Sequence, residues 1–400
     1  MNYSLAVAVG KTVRFLLRRV RRGGGSALPG LLVSKMAPTF LADAIKSLPL
    51  GFVIISGSAG KSSTTHMLVS ILREHGVKVF TNSSTANIQQ GLLSAVLAHC
   101  NLSGKLNQDI AVLEVDEGHI AALLPLKPEL LVLTNVLSDQ LDRFVDPSRV
   151  IERLGQAAAV VPKVVINADD PNLNQLKFLA PPMAVGLSAS LKKRKDAPRY
   201  AFNFKKPIEF PKMVQVFENS GYELRFGKQR YKTSAGSSQH ALNDALALAA
   251  ADHLIDLKQE IVAKCLAATQ RVFARNEKVE LAGREVNLRL VQNPTSFQLN
   301  LDELSGREKP LMLMAGSDIH DPSWLWTVAF SKLKKVNVVG GSNAAELALR
   351  LHFAGVEIEH VIEDPAAAAD FFLTLPGSKP TILFSADAMR RTRRHLGLAK

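Results

Sequence analysis

The sequence predicts an α/β protein with a doubly wound, mainly parallel sheet, followed by a second, Rossmann-like α/β domain. Two observations predict this class. From residue 51 onward, short apolar runs of strand length alternate with longer amphipathic stretches, which is the pattern of a parallel sheet covered by helices. In addition, 400 residues exceed what a single hydrophobic core usually supports, so at least two domains are expected.

The first strands and helices follow in order along the chain. Five buried strands are predicted: FVIIS (52–56), VKVF (77–80), DIAVLEV (109–115), LLVLTN (130–135) and KVVINADD (163–170). An amphipathic helix runs from Thr64 to His75 and ends at Gly76. Residues 172–238 then break this rhythm, because they are basic and contain the short alternating runs MVQVF and YELRF. We interpret them as an insertion with antiparallel strands.

The second half begins with two helices, 241–255 and 260–269, and continues as another α/β unit. Its strands are predicted in PLMLMAGS, KVNVVGG, VEIEHVI and PTILFS, with helices through Arg350 and near 365–374. The predicted domains are a basic N-terminal arm and lead-in (1–48), a central nucleotide-binding domain (49–271) and a C-terminal α/β domain (272–400).

Composition and charge limit the class of protein. The apolar runs are far shorter than the ~20 residues of a membrane-spanning helix. The two cysteines, Cys100 and Cys265, cannot form a four-cysteine zinc ribbon, so no zinc is predicted and a cytoplasmic setting is expected. The net charge of +13 is concentrated in residues 1–22, with six Lys/Arg and no acid, and in residues 192–232, with twelve against four. Such segments suit anionic lipid, an acidic partner or plain solvation. Nucleic acid is disfavoured because no aromatic residues alternate with the N-terminal basic run.

One short stretch carries a phosphate-binding pattern. GSAGKSSTTHMLVSIL begins at Gly57, directly after an apolar strand and at the start of a helix, where backbone N–H groups and the helix dipole favour an anion. Gly57 and Gly60 allow close backbone approach, Lys61 can reach terminal phosphates, and the Ser62 hydroxyl can bind magnesium. Ser58 and Ser63 complete the predicted phosphate-binding segment.

Acidic and amide side chains follow two other strands. Glu114, Asp116 and Glu117 lie at the end of one strand, at the edge where open parallel sheets bind ligands. Oxygen ligands there suit Mg²⁺, although the same residues describe a solvated strand end. Asn167 and Asp169, with Asp170, end the fifth strand and can bond a base or ribose, or else form a turn before Pro171.

In this ordered combination the residues resemble the Mur ligases, whose phosphate loop is Gly-Thr-Asn-Gly-Lys-Thr-Thr where this chain has Gly57-Ser-Ala-Gly-Lys-Ser-Ser63. Further segments resemble the family in order: TNSSTANIQQG (81–91), VLEVDEG (112–118), TNVLSDQLDRF (134–144) and INADDP (166–171). Within the family, the chain is most similar to the MurT type, the ligase-like subunit of lipid II isoglutaminyl synthase. The segments that carry this likeness are DQLDR, FARNE (273–277), LVQNPTSF (290–297), SDIHDPSWLW (317–326) and ALRLHFAGV (348–356).

The resemblance implies an activity and its parts. It implies ATP-dependent amidation of the D-glutamate α-carboxyl of lipid II through an acyl phosphate, with Mg²⁺ held by Ser62 and Glu114. Ammonia would come from a GatD-like glutaminase, whose catalytic His is oriented by Asp321 or, as second choice, Asp318. Arg275 is expected at the nucleotide. The basic N-terminal arm is expected to contact the inner face of an anionic membrane, where the substrate lies.

The chain also departs from the MurT pattern. Gln292 stands where the family has lysine, Ala274 where it has glycine, and SADA (385–388) where it has Thr-Tyr-Thr-Ala. Two alternatives therefore stay open: another Mur-type ATP-dependent amino-acid ligase, and a scaffold subunit that has lost catalysis. Direct ligation of an amino acid without a glutaminase would favour the first alternative, and failure to bind ATP with Mg²⁺ would favour the second.

Overall fold

A computed structural model of the chain describes residues 3–20, 27–82, 88–137, 147–194, 200, 208–268, 275–291, 294–319 and 322–398. The chain divides into two compact units. Unit 1 consists of Met1–Leu137 and Ser148–Thr269, and unit 2 consists of Ser138–Pro147 and Gln270–Lys400.

The described part of unit 1 contains a nine-stranded sheet in the order β2-β3-β1-β4-β5-β6-β7-β8-β9. Its strands are β1 (Phe52–Ser56), β2 (Val79–Thr81), β3 (Ile110–Glu114), β4 (Leu130–Leu133), β5 (Val164–Asn167), β6 (Met183–Leu187), β7 (Lys212–Glu218), β8 (Tyr222–Phe226) and β9 (Gln229–Thr233). Pairing is parallel from β2 through to β7 and antiparallel from β7 to β9. The predicted parallel, doubly wound sheet is thereby confirmed.

The segment interpreted as an insertion belongs to this same sheet. MVQVF and YELRF do form the antiparallel pair β7–β8, as predicted. However, β6, which the sequence did not reveal, pairs in parallel with both β5 and β7. The antiparallel strands therefore extend the main sheet and do not form a separate excursion.

Helices cover both faces of the sheet. The helices of unit 1 are α1 (Ser4–Val20), α2 (Ala27–Met36), α3 (Phe40–Lys46), α4 (Lys61–Glu74), α5 (Gln89–His99), α6 (Pro147–Ala158), α7 (Ala189–Lys192), α8 (Ser238–Leu254) and α9 (Gln259–Ala267). The Ala-rich helix α8 packs against α4 and the centre of the sheet, and its N-terminus is capped by the Ser237 hydroxyl, which accepts from the N–H of His240. Small side chains allow this close helix–sheet packing.

The segment expected as an N-terminal arm and lead-in is helical and packs onto the unit as far as it is described. α1 and α2 contact each other and α5. Gly10 faces Val33 and Leu97, and Gly30 lies against the backbone of Gln90. These two glycines let the three helices approach closely, because a Cβ at either position would clash.

Unit 2 is a smaller α/β sandwich. In the described part of this unit, six strands form a sheet in the order β10-β11-β15-β12-β13-β14. The strands are β10 (Arg275–Leu281), β11 (Arg284–Leu290), β12 (Leu311–Met314), β13 (Lys335–Gly340), β14 (Glu357–Ile362) and β15 (Thr381–Phe384), and the helices are α10 (Pro294–Asp302), α11 (Ala344–Phe353), α12 (Pro365–Thr374) and α13 (Ala386–His395). Among these described strands, only the β10–β11 pair is antiparallel. The predicted Rossmann-like second unit is confirmed.

Candidate functional site

The predicted phosphate loop, residues 57–60, connects β1 to α4. Gly57 and Gly60 have φ angles of +127° and +86°, a region that favours glycine. A Cβ at Gly57 would clash with the Thr134 hydroxyl, and one at Gly60 would clash with the Asn243 amide. Gly60 directly precedes the first residue of α4, so the loop adjoins the N–H groups of the first helical turn, as a phosphate site requires.

Asn135, just after β4, fixes the loop from the side. Its Oδ1 accepts from the N–H of Ala59 at 2.9 Å, its Nδ2 donates to the Ala59 carbonyl at 3.0 Å, and its own carbonyl accepts from Ser58 at 2.9 Å. The Ser58 hydroxyl in turn accepts from the N–H of Leu137 at 3.1 Å. Asn135 therefore holds the phosphate loop in position from the end of the neighbouring strand. This contact could not be predicted from local sequence, because it joins the ends of two strands that are neighbours only in the folded sheet.

Lys61, the first residue of α4, is buried inside the loop. Its Nζ donates to the carbonyls of Gly57 and Ser58 and lies 3.3 Å from the Glu117 carboxylate. Burial by itself would lower the pKa of Lys61, but Glu117, with Glu114 and Asp116 nearby, raises it above the ordinary value. The ammonium group is therefore kept charged where an anion would approach.

The three predicted acids, Glu114, Asp116 and Glu117, are all buried and lie at the same sheet edge as the loop. Ile55 on β1 is level with Glu114 on β3, so the residues that follow both strands are neighbours. Asn82 holds the backbone of Glu114 by two hydrogen bonds of 2.9 Å, one to its carbonyl and one from its N–H. The alternative of a solvated strand end is excluded by this burial.

Several buried polar atoms beside the loop have no hydrogen-bond partner within the described residues: Thr64 Oγ1, Thr65 Oγ1 and Asn243 Oδ1. Ser62 and Ser63, on the same helical turn, are half-buried. Buried polar groups without a protein partner are uncommon and are typical of sites that bind a ligand or water. Asn243 was missed by sequence reasoning, although a polar Asn-Asp pair inside an otherwise apolar Ala-rich helix is a recognisable signal.

The acids fit magnesium in one particular manner. Among the residues that the structure describes, no group of three or more His, Cys, Asp or Glu side chains could hold a metal ion by itself. Mg²⁺ in phosphate sites usually takes one or two carboxylates, and phosphate oxygens and water complete its shell. Glu114 and the Ser62 hydroxyl suit that mode, in which the nucleotide and the ion bind together.

The β5 edge is occupied by contacts within the protein. Asn167 donates to the Tyr200 hydroxyl at 3.0 Å. The Asp169 carboxylate accepts from Leu187 and forms ion pairs with Lys192 at 2.6 Å and Lys212 at 2.9 Å. Asp169 thus ties β5 to β6, α7 and β7. Its predicted contact with a base or ribose stays a prediction, and it would require one of these ion pairs to rearrange.

Asp170 is a structural residue. One carboxylate oxygen accepts from the N–H of Val136 at 2.6 Å, and the other accepts from the backbone and side-chain N–H groups of Asn172 at 2.8 and 3.0 Å. Burial raises the pKa of Asp170 to about 7 in spite of these bonds. This residue therefore fixes the loop after β4 and with it the position of Asn135.

Sequence comparison identifies the family. The family model of the Mur ligase middle domain matches residues 55–225, and the model of the MurT ligase C-terminal domain matches residues 290–384. A lipid II isoglutaminyl synthase subunit MurT from Streptococcus pneumoniae is 26% identical over 91% of this chain and 89% of its own length. The Staphylococcus aureus (strain COL) subunit is 24% identical, over 91% and 90% respectively.

The chain is a MurT-like member of the Mur ligase family. Solved structures agree on the fold. MurF ligase from Thermotoga maritima, determined in complex with ADP, superposes on the MurT-like chain with a TM-score of 0.66, at 19% identity over 92% of this chain and 83% of its own. A pseudomurein peptide ligase from Methanothermus fervidus gives 0.67 at 18% identity, over 91% and 81%. Both likenesses concern the fold alone.

In unit 2 of the MurT-like chain, Asp318 is tied to the turn before α13. Its carboxylate accepts from the Ser385 hydroxyl at 2.6 Å and from the N–H of Ala386 at 2.9 Å. The Ser385 hydroxyl also accepts from Gly316 at 2.8 Å, and Ser317 donates to Asp387 at 2.8 Å. The SADA segment is therefore the junction that joins the ends of β12 and β15, and Asp318 is engaged within it.

Two further predicted site residues, Asp321 and Arg275, have no described side chain. Asp321, like Gln292 and Ala274, lies outside the described residues. Arg275 begins β10, but its side chain is not among the described ones, so its contact with nucleotide stays a prediction. Glu277, two residues further along β10, forms an ion pair with Arg393 at 2.8 Å.

One of the two tryptophans borders the core of unit 2, and the other is exposed on its surface. Trp324 packs edge-on against Phe297 and borders the core of unit 2. Trp326 is 49% exposed and lies against Phe353, which is 68% exposed, with the Arg350 guanidinium 5.5 Å from the indole centroid. Trp326 therefore forms part of an exposed aromatic surface on this unit.

Proposed function

We propose that this MurT-like chain is the ATP-using ligase subunit of an enzyme that amidates the D-glutamate α-carboxyl of lipid II during peptidoglycan synthesis. The observation that carries the proposal is the buried Lys61, held between the loop carbonyls and Glu117, with Glu114 beside it. The named function of the curated relatives, which align over nearly the whole chain, supports the substrate.

The proposed reaction has two bond-forming steps. A carboxylate oxygen attacks the γ-phosphorus of ATP, and ADP leaves, which gives an acyl phosphate. Ammonia then attacks the acyl carbon, and phosphate leaves as the amide forms. Activation is needed because a free carboxylate has no adequate leaving group.

The residues of unit 1 would act by position and charge. Phosphoryl transfer depends mostly on orientation and on neutralising the phosphate charge. Lys61 would donate to phosphate oxygens once it exchanges its loop carbonyls for them, and Gly57 and Gly60 keep the backbone close enough to contribute N–H donors. Magnesium, bound with ATP by Ser62 and Glu114, would supply further positive charge.

Ammonia must come from a partner in this proposal. A glutaminase of the usual kind needs a reactive cysteine thiolate with a histidine beside it. Cys100 and Cys265 are the only cysteines of the sequence, and both are buried. Burial raises the pKa of both thiols. We therefore propose a GatD-like glutaminase subunit as partner.

For the residue that orients the partner's catalytic histidine, Asp321 is the stronger choice. Asp318 already accepts two hydrogen bonds from the α13 junction, and releasing it would leave the Ser385 hydroxyl and the Ala386 N–H to find other partners. Asp321 is a positioning residue under this proposal, because it acts through the partner's histidine.

The test is mass spectrometry of lipid II after incubation with the chain, the glutaminase, ATP, Mg²⁺ and glutamine. We expect the mass change from carboxyl to carboxamide with the wild type, and loss of this product with Lys61→Ala and Ser62→Ala. Lys46→Ala, an exposed lysine at the end of α3, is the matched control and should retain product formation.

Replacing glutamine and the glutaminase with ammonium chloride separates the two halves of the proposal. Amidation with ammonium alone would assign the ligase step to this chain. If ATP is hydrolysed but lipid II keeps its mass with either nitrogen source, the proposed acyl substrate is wrong. If ATP with Mg²⁺ does not bind at all, the scaffold alternative holds.

A further inference from the structure

The outward face of α1 is apolar. Leu5, Phe15 and Leu16 have 74%, 55% and 54% of their surface exposed, and Ala8 and Thr12 between them are also exposed. At 3.6 residues per turn these five positions fall on one side of the helix. A helix on a protein surface normally turns such a stripe inward, so this face is unusual.

The inward face of α1 is already occupied. Ala6 and Val7 are buried, and Gly10 sits against Val33 of α2 and Leu97 of α5. The exposed apolar stripe is therefore not the face by which α1 packs onto the protein. It is a second apolar face, opposite the one that packs.

α2 repeats this arrangement. Pro29 and Val33 are buried, and the N–H of Gly30 donates to the Ser94 hydroxyl of α5 at 2.8 Å. Its exposed large side chains are Leu28, Leu31 and Met36, at 51%, 40% and 45%. α1 and α2 both pack against α5, so the exposed apolar side chains of each helix lie outside these helix contacts. Six of the fifteen exposed large hydrophobic side chains of the described chain lie on these two helices.

The charge of this region has one sign. The first 42 residues contain seven Lys/Arg and no Asp or Glu. Two of these cations are placed by the fold, since Lys11 donates to the Cys100 carbonyl at 2.6 Å and Arg14 to the Ser94 carbonyl at 3.1 Å. Lys35 is exposed on α2 beside Met36. Lys11 and Arg14 are thus tied to α5 and the turn after it, and among the described cations of this segment Lys35 is the one exposed beside the apolar face.

We propose that the outer faces of α1 and α2, defined by Leu5, Phe15, Leu16, Leu28, Leu31 and Met36, bind an anionic phospholipid surface. An apolar stripe bordered by Lys and Arg suits the headgroup boundary, where acyl chains receive the apolar groups and anionic headgroups receive the cations. A second copy of the same face would bring like charges together, which disfavours self-association. None of the described helices is long and apolar enough to cross a membrane, so the contact proposed is at the surface. This lipid contact is independent of the proposed reaction.

The test is co-sedimentation of the full chain with vesicles of phosphatidylcholine alone or with 30% phosphatidylglycerol, a composition of about one anionic lipid in three. We expect binding to the anionic vesicles that weakens with added salt. Phe15→Ser with Leu16→Ser should reduce the partition coefficient at least about tenfold, because both side chains lose their contact with lipid. Leu28→Ser with Leu31→Ser should do the same from α2.

The matched control is Val160→Ser with Leu179→Ser, which removes two exposed apolar side chains of unit 1 (57% and 63% exposed) that follow α6 and precede β6. It should bind like the wild type. Nucleotide binding and the thermal midpoint of each variant show that it is folded. The proposal is overturned if the wild type does not bind anionic vesicles, or if both double-serine variants of α1 and α2 bind them as well as the control variant does. It is also overturned if sedimentation velocity shows a dimer that Phe15→Ser with Leu16→Ser abolishes while vesicle binding is absent.

Discussion

Asn135→Ala is the most direct test of how the phosphate loop is held. The substitution removes the two side-chain hydrogen bonds to Ala59, at 2.9 and 3.0 Å, and leaves the bond from Ser58 to the residue-135 carbonyl intact. The loop would lose two of its three tethers to this residue. The substitution does not alter Lys61 or the acidic residues of the site, so any change in nucleotide affinity must come from the loop.

The size of the effect follows from these bonds. A hydrogen bond of this kind contributes roughly 0.5–1.5 kcal/mol net, so two contribute about 1–3 kcal/mol. Ala59 is only half-buried, so water can replace part of the loss, and about 1–2 kcal/mol is expected. Since 1.4 kcal/mol is a factor of ten, the dissociation constant of Mg·ATP should rise roughly 5- to 30-fold.

The assay is isothermal titration calorimetry with a non-hydrolysable ATP analogue and Mg²⁺, with urea unfolding of the same variant. Asn101→Ala is the matched control. It removes hydrogen bonds that an asparagine accepts from Lys105 and Ser103 in an exposed turn of unit 1, and it should leave affinity unchanged. If Asn135→Ala binds the analogue within twofold of the wild type, the loop does not depend on Asn135 and the reasoning fails.

Two further predictions concern single residues. Gly60 and Gly76 have φ angles of +86° and +87°, so an alanine at either position imposes nearly the same backbone strain and should lower the free energy of unfolding by about 1–2 kcal/mol. Only the alanine at position 60 would also contact the Asn243 side chain. Gly60→Ala should therefore weaken binding of the ATP analogue in the same calorimetric assay, and Gly76→Ala should not. Asp244, whose pKa is raised to about 7 by burial, binds more protons folded than unfolded between about pH 4 and 7. Unfolding free energy should therefore fall across that range and then level off, by at most ~4 kcal/mol. Asp170, whose pKa burial also raises to about 7, contributes a fall over the same range. Asp244→Asn keeps an acceptor for Thr233 and should therefore reduce, without abolishing, the difference in unfolding free energy between urea titrations at pH 5 and pH 8, whereas an unchanged difference would rule out Asp244 as a source.

The sequence was sufficient where a pattern is local. The strands β1, β3, β4 and β5 are continuous apolar runs and were placed within a few residues. The start of α4 was missed by three residues, because the helix begins at Lys61, directly after Gly60, and not at Thr64. That boundary depends on Gly60 taking a left-handed conformation, which its neighbours along the chain do not reveal.

The sequence was insufficient where contacts join distant segments. β6 is a short run, MAVGL, that becomes recognisable as a strand only through its pairing with β5 and β7. The N-terminal segment was interpreted as an arm because its charges are conspicuous. Its packing instead depends on Gly10 and Gly30, which allow the helices to approach closely. A glycine in a basic segment does not by itself predict close helix packing.

The same division applies to the candidate site. Lys61 and the acids were predicted because phosphate and metal chemistry require those residue types. Asn82, Asn135 and Asn243 were not assigned a role, although each lies beside the loop or the acids. Asparagine is common in turns for reasons of backbone conformation, so its presence after a strand does not distinguish a turn residue from one that positions a site.

The charges of this site explain why its parts depend on one another. Lys61 contributes one positive formal charge, and Glu114, Asp116 and Glu117 contribute three negative charges within the same buried region. With a net formal charge of −2, the pocket would repel a bare triphosphate. The loop, with its glycines and helix N-terminus, is built to receive an anion, so the acids are costly there unless a divalent cation arrives with the phosphates. Glu117 holds the Lys61 ammonium group in place by an ion pair. Glu114 is then the acid suited to bind the magnesium ion. The arrangement thus favours the metal–nucleotide pair over the nucleotide alone.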